Sequence, residues 1–119
     1  MTQIRTFRDL IAWQLGMKLA KVIYQITGRM PKSEQFGLTN QMRRAAVSIP
    51  SNIAEGYARQ STADYLKHLR IARGSLAEVS TQFELATDLS MLTRDKIVIE
   101  LLEEEDRVLQ GLIRSLETK

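Results

Sequence analysis

No cysteine occurs in the 119 residues, which excludes disulfides, thiol catalysis and cysteine-ligated zinc and suits a reducing compartment. His68 is the single histidine, and the Glu-x-x-His spacing of di-iron bundles is absent. A Ser48–His68–Glu55 set could be written down, but no Gly-x-Ser-x-Gly elbow accompanies it. Neither a Gly-x-x-x-x-Gly-Lys loop nor a Gly-x-Gly-x-x-Gly turn is present, so no nucleotide cofactor is implied. Three Phe, three Tyr and one Trp are mostly needed for packing, which argues against a base-stacking platform. No apolar run approaches the ~18 residues of a membrane span. The stretch Met1–Phe7 lacks the apolar region of a signal peptide, and a cytoplasmic protein is expected. These absences predict a non-enzymatic chain with no metal, no cofactor and no membrane partner.

What is present is helical periodicity. Apolar residues make up 44% of the chain, enough for the core of one domain spanning 1–119, and no segment shows strand alternation. A first helix is expected from Phe7 to Thr27, with Thr6 as N-cap and Asp9 completing a near capping box. Gly28–Pro31 ends it, and a loop follows to Gly37. A second helix runs from Thr39, read as its N-cap, to Arg59. Ser61 or Thr62 caps a third helix reaching Ser90, and Thr93 caps a fourth from Arg94 to Glu117. Long helices joined by short turns predict an all-α, antiparallel up-down four-helix bundle.

The second helix carries two opposed stripes. Gln41, Arg44, Ser48, Asn52, Glu55 and Arg59 fall within an arc of about 80° at ~100° per residue. Such short hydrogen-bonding groups and guanidiniums suit an ordered polar contact, either a ligand surface or a seam between helices or subunits. Pro50 lies in the middle and lacks the N–H that the Ala46 carbonyl needs, a cost of roughly 3 kcal/mol in a helix interior. Both stripes keep their phase across it, which favours a continuous, kinked helix over a break. Ser48, Asn52 or a neighbouring chain is then expected to satisfy Ala46.

Two features point beyond a lone bundle. On the first helix Gln14, Lys18, Lys21 and Gln25 confine polarity to about 60°, leaving Trp13, Met17 and Tyr24 without a place in one core. Homo-oligomerisation is therefore expected. Glu105 lies in the middle of the fourth helix's apolar arc and needs a partner, for which Arg44 or Arg59 is the natural candidate. Gly74 inside the third helix suggests close approach of another backbone.

Charge is unevenly spread. Residues 1–81 carry 12 Lys/Arg against 5 Asp/Glu, or +7, while 82–119 carry 5 against 9, or −4, which together give the net +3. A basic body suggests an anionic partner such as RNA, held through phosphates by Lys18, Lys21, Arg43, Lys67, Arg70 and Arg73.

Four segments carry a family resemblance: Phe7-Arg-Asp-Leu-Ile-Ala-Trp-Gln14, Phe36-Gly-Leu-Thr-Asn-Gln-Met-Arg-Arg44, Ala46-Val-Ser-Ile-Pro-Ser-Asn-Ile-Ala-Glu-Gly56 and Ala72-Arg-Gly-Ser-Leu-Ala-Glu78. Together they resemble the four-helix-bundle proteins encoded in intervening sequences of bacterial 23S ribosomal RNA. The resemblance implies a ring-forming bundle, commonly a pentamer, with no known enzymatic activity. It also implies distant kinship with accessory proteins that bind nucleic acid and a reverse transcriptase, so a protein-binding adaptor is the competing expectation. The family's signature falls on Arg43, Arg44, Ser48, Pro50, Asn52, Glu55, Gly56, Arg59, Gly74 and Ser75.

Overall fold

A computed structural model describes residues 3–118, and among them every regular element is helical. The long helices are α1 (Ile11–Thr27), α2 (Leu38–Ala58), α3 (Thr62–Asp88) and α4 (Lys96–Glu117), with 3-10 turns at Phe7–Asp9 and Lys32–Glu34. They form an antiparallel four-helix bundle measuring 46 × 26 × 21 Å. Leu19 and Ile23 of α1, Met42, Ile49 and Ile53 of α2, Leu69 and Val79 of α3, and Val98 and Leu109 of α4 are sealed from solvent. Each such side chain contributes about 1.5–3 kcal/mol by leaving water. The α2–α3 pair packs most extensively, and α4 packs least closely on its two neighbours.

Local chemistry sets the helix ends, and three differ from the sequence expectation. The Thr6–Asp9 capping box forms, but it starts a single 3-10 turn; Leu10 turns extended and α1 begins only at Ile11. Thr39 does not cap α2. Its side chain is buried inside the first turn, and the Glu34 carboxylate instead accepts from the Leu38 N–H at 3.1 Å. Asp95, not Thr93, caps α4, accepting from the N–H groups of Ile97 and Val98. A carboxylate there also complements the helix dipole, which a threonine would not. Ser61 caps α3 as expected, accepting from Asp64 N–H.

Helix α2 runs unbroken through Pro50, which is buried. Neither Ser48 nor Asn52 turns to the Ala46 carbonyl; the Asn52 amide donates to the carbonyl of Ser48 at 2.9 Å. Gly74 is also corrected: a Cβ built there meets nothing within 4 Å. Within the bundle, close approach between helices occurs at Gly16 and Gly56 instead. A Cβ at Gly16 would stand 3.0 Å from Glu105 Oε2 and 3.4 Å from both Ile49 and Pro50. At Gly56 it would stand 2.8 Å from the His68 Cβ.

The Gly16 notch receives Glu105. This carboxyl is fully buried, and neither oxygen has a hydrogen-bond partner. The expected pairing with Arg44 or Arg59 does not occur: Arg59 binds Glu55, and Arg44 is exposed. Burial, aided by the nearby Glu104 charge, pushes the Glu105 carboxyl up to about 9, so it is neutral at pH 7. That is the state in which an unpaired carboxyl tolerates an apolar site.

Two predictions follow from the core. The folded pKa of Glu105 lies above its unfolded value, so its contribution is present below about pH 4.5 and is lost as pH rises to about 9. Unfolding free energies of Glu105→Gln and wild type should diverge over that window, with the variant gaining up to about 6 kcal/mol by pH 9. Parallel curves would show that Glu105 is ionised in the fold. The glycines should respond with opposite sign. Gly74→Ala should stabilise by about 0.5–1 kcal/mol, whereas Gly56→Ala should destabilise by roughly 1–2 kcal/mol net of its helix-propensity gain, read from paired urea melts.

Candidate functional site

The polar stripe of α2 is drawn into a hydrogen-bonded chain with α3. Ser48 Oγ lies 2.8 Å from Ser75 Oγ. The Asn52 Nδ2 donates to both the Ser48 carbonyl and its Oγ, each at 2.9 Å. Asn52 Oδ1 then faces His68 Nδ1 at 3.0 Å. His68 Nε2 stands 3.6 Å from Glu55 Oε2, and Arg59 donates to the same oxygen at 2.7 Å.

The direction of this chain is fixed by chemistry. A backbone carbonyl only accepts, so the Asn52 amide must present its nitrogen to Ser48 and its oxygen to His68. His68 therefore carries its proton on Nδ1. Ser48 Oγ accepts from Asn52 and shares one further hydrogen bond with Ser75 Oγ. Glu55 is held below the usual carboxylate range, first by the Arg59 hydrogen bond and then by His68.

Close packing makes the chain possible. Gly56 has no side chain, so the α3 backbone at Tyr65 and His68 lies directly against α2. Tyr57 and Tyr65 meet edge-to-face at 6.0 Å beside it, and burial pushes the Tyr65 hydroxyl up to about 12. Ser48, Asn52 and His68 are partly buried, Glu55 and Arg59 stand at the rim, and Gln41 and Arg44 remain exposed. Glu105 is not part of this cluster. Ser48 also differs from a nucleophile: Asn52 and Ser75, not the imidazole, are its partners.

The six basic candidates divide equally. Arg43 donates to Thr27 Oγ1 at 2.9 Å and to the Tyr24 carbonyl at 3.3 Å, and its guanidinium stacks 4.7 Å from the Tyr24 ring. It thus ties the C-terminus of α1 to α2. Arg70 pairs with Glu117 at 2.6 Å, and Arg73 pairs with Asp106 at 2.9 Å, both across to α4. Asp106 is held low by Arg73 and by Gln110. Lys18, Lys21 and Lys67 are exposed and form no ion pair among the described residues.

A second surface lies on the opposite side of α2. Trp13, Met17, Ala20 and Tyr24 of α1 face Val47, Pro50 and Ala54 of α2 across an open, mostly apolar trough of about 620 Å³. Trp13 is steadied by an edge contact with Phe7 at 5.4 Å. Sequence reasoning found the α1 half of this trough from surplus apolarity. It missed His68 and Ser75 as partners of the stripe.

The sequence model of the 23S rRNA-intervening sequence protein family matches residues 8–114, nearly the whole chain, and the chain belongs to that family. No curated protein matches it. Among the described residues no helix is long and apolar enough to cross a membrane.

Because Asn52 is the shared member of the chain, Asn52→Ala should strand Ser48 and His68 and lower stability by about 1–3 kcal/mol. Nitrogen-edited NMR of wild type should find the neutral imidazole protonated on Nδ1. A dominant Nε2–H form would overturn the assigned direction.

Proposed function

We propose that this member of the 23S rRNA-intervening sequence protein family is a non-enzymatic bundle that assembles head-to-tail into a ring and binds RNA through phosphates. The observation that carries the assembly is the α1–α2 trough. Its aromatic and aliphatic lining is the kind of patch that marks an interaction site on a small protein. A second copy is the occupant because α3 exposes apolar side chains outside the trough, Ile71 and Leu85. Two different patches on one chain favour a heterologous interface, which forms a ring when its rotation closes. A pentamer is the ring size that fits the family resemblance. The saturated Ser48–His68 chain supports a structural rather than a catalytic use of the stripe.

Several copies in a ring would repeat the exposed Lys18, Lys21 and Lys67, making modest basicity per chain effective on a polyanion. The second reading is a protein-binding adaptor. It is favoured by the internal engagement of Arg43, Arg70 and Arg73, which removes three phosphate contacts. RNA affinity that falls log-linearly with salt supports the first reading; no binding at ~50 mM salt supports the adaptor.

Light scattering should give a multiple of the 13.6 kDa chain mass at micromolar concentration. Val47→Glu and Ile71→Glu should each break the ring, and mixing the two should give heterodimers through the one intact interface. A single-chain mass for wild type would overturn the assembly. An Ile71→Glu variant that still assembles like wild type would indicate a two-fold, trough-to-trough dimer instead.

A further inference from the structure

We infer a phosphate-binding site at the end of the bundle where α1 finishes and α4 begins. It lies on none of the surfaces that the sequence suggested. A cavity of about 690 Å³ there is lined by Arg29 and Arg94, by the hydroxyl-bearing Thr87, Ser90 and Thr93, and by Asp95. Cavities of this size accommodate a ribose-phosphate unit rather than a single ion.

Two guanidiniums without a carboxylate partner line this one cavity. Among the described residues neither Arg29 nor Arg94 forms an ion pair or a side-chain hydrogen bond, whereas Arg59, Arg70 and Arg73 each hold a carboxylate. A groove between α3 and α4 also contains arginines, but there Asp106 and Glu117 hold Arg73 and Arg70. Here the one carboxylate, Asp95, has its Oδ1 committed to the N–H groups of Ile97 and Val98, so the α4 N-terminus is already occupied. Two planar, fork-shaped cations lining one cavity with Ser90 and Thr93 suit a phosphate oxygen pair.

Ser90 adds a second observation. It is the one non-glycine residue with positive φ among the described residues, at 60°, where glycine or asparagine would be less strained. The residue lines the cavity. With no aromatic in the lining, the site would grip backbone phosphate and ignore base identity.

The identification of the phosphate as RNA rests on the RNA-binding reading above; the site itself does not. The test is fluorescence anisotropy with a 5′-hydroxyl 20-nucleotide oligouridylate at ~50–300 mM salt, alongside NMR of arginine Nε–Hε signals during pyrophosphate titration. The paired variant Arg29→Gln/Arg94→Gln should weaken RNA binding at least ~tenfold and flatten the log–log salt slope by about 1.4, two contacts at ~0.7 each. Lys32→Gln/Arg107→Gln, which removes the same charge at residues outside the proposed RNA contacts, should change affinity less than ~twofold. Ser90→Gly relieves the strained backbone, so a several-fold loss of affinity without loss of thermal stability reports the hydroxyl rather than unfolding.

RNA binding unaffected by the arginine pair, or equally weakened by the control pair, would overturn the site and leave the RNA reading standing. Pyrophosphate binding that depends on Arg29 and Arg94, with no RNA binding at ~50 mM salt, would keep the site for a free phosphate ligand and sink the RNA reading. Neither RNA nor pyrophosphate binding would overturn both.

Discussion

The hydrogen-bonded seam between α2 and α3 is the constraint on which the rest of this bundle depends. Ser75, Ser48, Asn52 and His68 are hydrogen-bonded in a chain across the interface, and the Glu55–Arg59 pair of α2 lies at its rim. Such a chain has one register, because sliding α3 by a turn would strand most of its polar members in a partly buried place. Apolar packing alone would tolerate several registers at similar energy. The seam therefore specifies which faces of α2 and α3 remain outside, and hence where the trough and the exposed Ile71 and Leu85 lie. Gly56 belongs to the same device, since the imidazole reaches the seam only where α2 has no side chain.

A different principle governs α4. It packs least closely on its neighbours, and two ion pairs, Arg70–Glu117 and Arg73–Asp106, clasp its outer edge to α3. Both pairs are about half exposed, so each contributes at most about 1 kcal/mol and weakens in salt. The opposite charges of the basic body and the acidic last helix, visible in the sequence as a contrast of +7 and −4, are partly used in this clasp. Less of the basic charge is thus free for a partner than composition suggests.

Helix number, order and approximate bounds were legible because 3.6-residue periodicity is strong in all four segments. The helix ends were less so. Thr39 and Asp95 show why: a capping residue is chosen by three-dimensional competition, and Glu34 reached α2 from across a turn. The stripe on α2 was legible as a unit, but not its partner. One helix's pattern reveals which groups need contacts, never which neighbour supplies them. Glu105 illustrates the limit from the other side. Its place in an apolar arc was evident, and the pairing rule for buried charges pointed to an arginine. The fold used protonation instead, which leaves no mark in sequence spacing. The cluster of Arg29 and Arg94 is assembled by two loops 65 residues apart, and nothing local to either announces it.

Protonation of Glu105 also links the bundle to its solvent during folding. At pH 7 the carboxyl is ionised in the open chain and neutral in the Gly16 notch, so folding takes up close to one proton per molecule from this group. The contacts between α2 and α3 join neighbours in sequence, whereas α1 and α4 must close the full length of the chain. If local pairs form first, proton capture belongs to the last event, when α4 lays its carboxyl against α1. The enthalpy of folding at neutral pH then carries the ionisation heat of whatever buffer supplies that proton.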